Sequence, residues 1–279
     1  MSGKLLIVPT PIGNLGDITL RAVEALRQAD VICAEDTRVT GKLLAALDVQ
    51  GKRLERLDEN VIGNRAATIV QRVQDGETIA YCSDAGMPGV SDPGLRLVAA
   101  ARVADPPVAV EVLPGATAAA TAYVASGTTA QSFYFGGFFP RKDKARADLL
   151  KQLSNLDAAL IFYESPNRVV SALQSIADAF PHRNVAVCRE LTKLHEEVLR
   201  GPAGDVADQL IARNSVKGEI VIVVDPPAPD ESAADLSIIE QRVLELLDKG
   251  NSPKAIAKQL VVEFNIPRND AYELALKLK

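Results

Sequence analysis

The chain has no tryptophan, and aromatic residues make up only 4% of its 279 positions. A core for a protein of this size must therefore come from aliphatic side chains and alanine. Only two histidines, His182 and His195, are present, which excludes a histidine-rich metal site. The three cysteines, Cys33, Cys82 and Cys188, form no C-x-x-C pair, and each lies in or beside an apolar strand pattern. They read as buried free thiols. No apolar run approaches the roughly 20 residues needed to cross a bilayer. The N-terminus runs straight into a strand pattern without the regions of a signal peptide, so a cytoplasmic location is expected. Neither G-x-G-x-x-G nor G-x-x-x-x-G-K-[ST] occurs, which removes the dinucleotide and P-loop fingerprints. Neither sign of charge dominates, and a net charge of −5 leaves nucleic acid open as a partner.

What is present is alternation. Short β-type runs and helical patterns succeed each other: strands over 4–9, 31–34, 78–82 and 108–113, and helices over 19–29, 64–74 and 93–103. Asp17 is the expected N-cap of the first helix and Gly76 closes the second. A second series follows, with helices over 116–126, 143–153, 167–180 and 206–212 and strands over 133–137, 158–163, 184–189 and 219–224. This pattern predicts an α/β fold with largely parallel sheets in two lobes, residues 1–116 and 117–225, hinged near 115–118. Residues 226–236 have the composition of an acidic, proline-rich linker. Residues 237–279 carry three short helical patterns at helix-turn-helix-like spacing, with seven Lys/Arg against six Asp/Glu. Pattern alone leaves this tail either a helical cap or dimerisation element, or a nucleic-acid element using Lys254, Lys258 and Arg268.

Five polar loops follow strand patterns: 9–17, 35–38, 83–94, 113–117 and 163–168. Ligands of open α/β sheets bind at such strand ends, so the five together predict an enzyme cleft between the lobes. The loop 83–94 is the richest, with three glycines, two prolines and the carboxylates Asp84 and Asp92. Asp84 can orient a cationic or hydroxyl-bearing ligand, or merely stabilise a turn. Glu35, Asp36 and Arg38 form either an acid/base and anion-binding group or a solvated turn.

The segments VPTPIGNLGDIT (8–19), AEDTR (34–38), SDAGMPGVSDPG (83–94), LPGATAA (113–119), FGGFFPRK (135–142), FYESPNR (162–168), RELTKLHEE (189–197) and KGEIVIVV (217–224) resemble the tetrapyrrole methylase superfamily. Within it they resemble the ribosomal RNA small subunit methyltransferase I group, over essentially the whole chain. The resemblance implies a two-lobed, S-adenosylmethionine-dependent methyltransferase. The enzyme would be a homodimer, using neither metal nor membrane, that methylates the 2′-oxygen of a cytidine ribose in the decoding region of 16S ribosomal RNA. It assigns the cofactor to Pro9 and Gly13; to Ser83, Asp84, Ala85, Gly86, Met87 and Val90; to Ala116 and Thr117; to Tyr163, Glu164 and Ser165; and to Leu191, Gly218, Glu219 and Ile220. Asp36 or Glu59 is the expected base, and Arg38, Arg141, Lys142 and Arg168, with the three tail cations, are the expected RNA contacts. Two positions depart from the group's pattern. Leu57 precedes Asp58-Glu59-Asn60 where members often carry histidine before the glutamate, and Asn167 replaces the histidine of YESPHR. Both argue against a histidine base at those positions. A porphyrin-precursor C-methyltransferase and a non-catalytic RNA-binding or ribosome-assembly protein are the alternative readings.

Overall fold

The computed structural model describes residues 3–227, 229–264, 266 and 268–278. The first lobe is one parallel sheet. Strands β1 (Lys4–Ile7), β2 (Val31–Ala34), β3 (Arg53–Arg56), β4 (Thr78–Cys82) and β5 (Val110–Val112) lie in the order β3-β2-β4-β1-β5. The central strands are buried on both faces, which is why VICA and TIAYC read as continuous apolar runs rather than alternating ones. Alternate residues pack on opposite sides. Leu6, Ile32 and Ala80 meet Ala22 and Leu26 of α1 (Leu20–Gln28) and Leu44 of α2 (Thr37–Ala46). Leu5, Val31 and Ile79 meet Ile62 and Ile69 of α3 (Glu59–Gln74) and Leu97 of α4 (Gly94–Arg102). Adjacent strands β1 and β4 send their connections in opposite directions, to β2 and to β5, which opens a crevice at their C-terminal ends.

The second lobe corrects the expectation of parallel strands. Strands β6 (Phe133–Phe138), β7 (Ala159–Glu164), β8 (Asn184–Arg189), β9 (Glu197–Pro202) and β10 (Ile220–Val224) lie in the order β6-β7-β10-β8-β9. Only β6 and β7 are parallel; β10 runs antiparallel to both its neighbours. One face packs on α6 (Asp143–Leu153), α7 (Val169–Ala179) and α8 (Ala203–Ile211). The other face is lined by small residues, Ala159, Ala186 and Cys188, and receives Ala119 and Ala122 of α5 (Ala118–Ala125). Ile12 of the first lobe is buried in this same cluster, so the two lobes share a core.

Other expectations shift at element ends. Thr19, not Asp17, caps α1 by accepting from the Ala22 amide at 3.1 Å; Asp17 closes a short 3₁₀ turn, Leu15–Asp17. Helix α3 begins at Glu59 behind an Asp58 cap rather than at Asn64. The edge strands β3 and β9, not expected from the sequence, carry charged residues that hide the strand pattern. The stretch 226–236 is not a linker throughout: α9 spans Pro229–Asp248, with proline at its first helical position. Helices α10 (Pro253–Phe264) and α11 (Arg268–Lys277) complete a tail whose core residues, such as Val243, Ile256, Leu260 and Ala271, pack on one another.

The β8–β9 edge is pinned by a carboxylate. Two hydrogen bonds from Arg213, both 2.8 Å, and one from Arg189 at 3.0 Å hold Glu197 down to about 2. Its stabilising contribution is complete above the ordinary glutamate value and is lost as pH falls from about 4.5 towards 2. E197Q is expected to lower stability by about 1 kcal/mol at neutral pH. It should also flatten the loss of stability in that acid window, as read from urea melts at a series of pH values.

Candidate functional site

Three strand ends of the first lobe are tied into one wall. After β1, Thr10 pairs with Gly86 of the loop after β4, N–H to carbonyl in both directions at 3.0 and 3.1 Å. Gly86 sits at φ +81°, and a Cβ there would meet Ile12 at 3.1 Å and the Ala116 carbonyl at 3.3 Å. After β2, the Glu35 carboxylate accepts from the Asp84 amide at 3.1 Å, while the Asp84 carboxylate accepts from the Asp36 amide at 2.9 Å. Further along the same loop, Asp92 accepts from the Gly89 and Gly94 amides at 2.8 Å. Ser91 is held at φ +69°, a strained backbone for a residue with a side chain.

The second lobe supplies the facing wall. Glu190 and Thr192 take φ +51° and +66°, and Gly218 takes +93°. Lys193 bridges the Glu190 and Glu219 carboxylates at 2.9 and 3.0 Å. Gly13 lies so close to this turn that a Cβ would stand 2.5 Å from Lys193 Cγ, and the Asn14 amide donates to the Thr192 hydroxyl at 3.1 Å. Tyr163 stands at the end of β7, where burial pushes its phenol upward against the pull of the Ala119 amide and Thr117.

Between the walls lies a cleft of about 420 Å³. Met87, Val90, Phe138, Ile220 and Val221 give it apolar sides, and Glu35, Asp84, Asp92 and Glu219 give it carboxylates. Glu35 is half-buried. Desolvation pushes its carboxyl above the usual glutamate range, and the charges of Asp92, Asp84 and Asp58 add to the rise, against the pull of the Asp84 amide. An apolar trough that also carries carboxylates suits a ligand with a flat aromatic part and a fixed positive charge. S-adenosylmethionine has both, so these residues fit it.

Of the residues expected at the cofactor, Ser83–Met87, Val90, Thr117, Tyr163–Ser165 and Gly218–Ile220 line this cleft. The other four do not. Pro9 packs against Gly115, where a Cβ would come within 2.3 Å of its ring. Leu191 is buried in the second-lobe cluster and Ala116 packs at its edge. Gly13 lines a neighbouring cavity. Glu35, Ser91, Asp92 and Phe138 join the lining without having been assigned to the cofactor. The last of these belongs to the quoted FGGFFPRK motif, whose position on a strand end was its available signal.

Neither expected base lines the cleft. The loop 35–38 is the start of α2, where Asp36 is the N-cap and is bound by Arg38 through hydrogen bonds of 2.6 to 3.2 Å. That pairing holds Asp36 far below the usual carboxylate range, which makes it a poor base, and it does not line the cleft. Glu59 is exposed, paired with Arg96 at 2.8 Å, and also off the cleft. Arg168 is likewise committed: it binds the buried Glu164 carboxylate and the Phe139 carbonyl at 2.7 to 2.8 Å. Arg141 and Lys142 are exposed ahead of α6. Lys254, Lys258 and Arg268 come together with Ser252 around one tail cleft of about 730 Å³. Both histidines are on the surface. Among the described residues, no group of three His, Cys, Asp or Glu side chains could hold a metal, and no helix is long and apolar enough to cross a membrane.

Residues 4–207 match the Tetrapyrrole (Corrin/Porphyrin) Methylases family. The chain is 40% identical over 273 residues to "Ribosomal RNA small subunit methyltransferase I" of Micromonospora olivasterospora, covering 98% of this chain and 86% of that relative. It is 44% identical over 282 residues to the protein of the same name from Erythrobacter litoralis (strain HTCC2594), covering 100% and 96%. Among solved structures it is similar in fold to a diphthine synthase, with a TM-score of 0.63 at 14% identity over 80% of this chain and 90% of that one. It is similar also to uroporphyrin-III C-methyl transferase from Thermus thermophilus complexed with S-adenyl homocysteine, with a TM-score of 0.55 at 15% identity over 79% and 92%. The chain is a methyltransferase that belongs to the tetrapyrrole methylase family and, within it, to the ribosomal RNA small subunit methyltransferase I group.

Proposed function

We propose that this enzyme transfers a methyl group from S-adenosylmethionine to the 2′-oxygen of a cytidine ribose in the decoding region of 16S ribosomal RNA. The observation that carries the reading is how far the similarity extends. Solved tetrapyrrole-methylase-like structures cover about 80% of the chain, whereas the ribosomal RNA relatives cover 98–100%. The difference is about the size of the helical tail, which distinguishes this reading from a porphyrin C-methyltransferase. Exposed Lys/Arg side chains around the tail cleft suit RNA phosphate.

S-adenosylmethionine supplies an electrophilic methyl: its S–C bond breaks with the electron pair left on sulfur as the ribose O–C bond forms, and the hydroxyl proton passes to a base. Met87–Val90 and Ile220–Val221 would hold the apolar part of the cofactor, and the lining carboxylates would face its positive charge. Alignment of this kind is worth roughly 7–11 kcal/mol of barrier. A ribosomal substrate places the enzyme in the cytoplasm. We further propose that it acts as a homodimer, supported by apolar side chains such as Leu20 and Leu194, 90% and 93% exposed, which a second copy could cover.

Tritiated methyl transfer to purified small subunits lacking the modification is expected to label 16S RNA at a ribose 2′-oxygen. Label in a porphyrin precursor, or in neither substrate, would contradict the reading. Replacing Lys254, Lys258 and Arg268 together by alanine should lower the log–log salt slope of RNA binding by about 2, as measured by filter binding. Finally, the charge on Glu35 favours a sulfonium only when ionised, and its pKa is raised. Calorimetry should therefore show S-adenosylmethionine affinity falling as pH drops from neutrality towards the ordinary glutamate range, with a smaller fall for the uncharged thioether S-adenosylhomocysteine. E35Q should flatten the difference.

A further inference from the structure

A second cavity, of about 290 Å³, adjoins the first and shares Ser83–Ala85 with it. It is bounded by the loop after β1, by Val39, Thr40 and Leu43 of α2, and by Lys193 from the second lobe. Ile12, Ser83, Asp84, Ala85 and Glu219 border both cavities, so groups held in the two would approach each other at this border.

Most polar groups around the second cavity are committed. The Thr10 hydroxyl donates to the Ser83 carbonyl at 3.3 Å, and the Ser83 hydroxyl donates to the Gly86 carbonyl at 3.1 Å. Lys193 is held by its two glutamates. Thr40 is different. It is 1% exposed, it lines the cavity, and its Oγ1 has no hydrogen-bond partner. A buried hydroxyl left unpaired is destabilising, and native proteins rarely keep one without a use. Asp84 also has spare capacity. Its Oδ1 accepts from the Asp36 amide, and its Oδ2 has no hydrogen bond among the described residues.

We propose that this second cavity is the acceptor subsite. It takes one unpaired nucleoside of RNA, with the Thr40 hydroxyl hydrogen-bonded to that nucleoside and Asp84 facing its ribose hydroxyl as proton acceptor. The proposal rests on the reading that the acceptor is a ribose of ribosomal RNA. The lining suits the ligand: Pro11, Ile12, Val39 and Leu43 offer apolar surface to a base face, and Thr40 offers a donor and an acceptor to a polar edge. Bases splayed out of single-stranded RNA are recognised by this combination.

T40V keeps the shape of the side chain and removes a hydroxyl that bonds to nothing in the protein. It should leave melting temperature unchanged or higher and S-adenosylhomocysteine affinity unchanged, while raising the KM for small subunits roughly five- to tenfold. V39W, which fills the cavity from a position 41% exposed, should abolish transfer with S-adenosylhomocysteine affinity retained. In NMR titrations of the S-adenosylhomocysteine-loaded protein, cytidine 5′-monophosphate should shift the methyl signals of Ile12 and Leu43, and V39W should suppress those shifts. Wild-type KM in both variants, or no nucleotide-induced shift at these methyls, would overturn the subsite. Absence of any label in ribosomal RNA with the wild-type enzyme would instead defeat the reading of function, and the nucleotide titration would still decide the cavity.

Discussion

Two hydrogen bonds between Thr10 and Gly86, with the crossed carboxylate–amide pairs of Glu35, Asp84 and Asp36, lock the C-terminal ends of β1, β2 and β4 to one another. A parallel sheet leaves strand-end backbone groups unpaired, and a ligand site needs them arranged rather than solvated at random. Here they are consumed in building the segment Ser83–Ala85, which borders both cavities. The glycine at 86 is required because the chain turns at φ +81° and a Cβ there would press on Ile12 and the Ala116 carbonyl, a few tenths of an ångström inside ordinary contact. Shift that segment, and both cavities change together.

The second lobe completes the site at close range. Ile12 is buried in its core, and Gly13 touches the 190–193 turn where no side chain would fit. That turn holds two non-glycine residues in the left-handed region, a strain offset by Lys193 between Glu190 and Glu219 and by the Glu190 amide bonded to the Glu219 carbonyl at 2.9 Å. Of the four non-glycine residues at positive φ among the described residues, Ser91 lines the cleft, Glu190 and Thr192 lie in the turn beside Gly13, and Asp48 lies elsewhere.

Much of this was legible beforehand for physical reasons. Strands buried on both faces announce themselves as unbroken apolar runs, and β2, β4 and β8 fall where those runs lie. The loop 83–94 was legible because only a backbone with unusual torsions needs so many glycines and prolines. Charged edge strands such as Arg53–Arg56 were not legible, since their outward residues mask the alternation. Nor was the direction of β10, because a run such as IVIVV is the same read parallel or antiparallel. The pairings of Asp36 with Arg38 and of Arg168 with Glu164 were hidden for a shared reason. A carboxylate beside an arginine in a strand-end loop suggests chemistry, and only coordinates reveal that the two groups satisfy each other. Thr40 carried no signal in the sequence, because a missing hydrogen bond is a property of three dimensions alone.

The central claim is that two adjoining cavities, which share Ser83–Ala85 as a border, hold methyl donor and methyl acceptor in contact. A cryo-electron-microscopy structure of the enzyme on the small ribosomal subunit with S-adenosylhomocysteine tests it most directly. The account predicts the cofactor against Met87, Val90 and Ile220, with the target ribose beside Asp84 on the Thr40 side and its 2′-oxygen facing the cofactor. A cofactor outside the Ser83–Val90 cleft, or a target ribose that reaches it without contacting the Thr40 cavity, would contradict it.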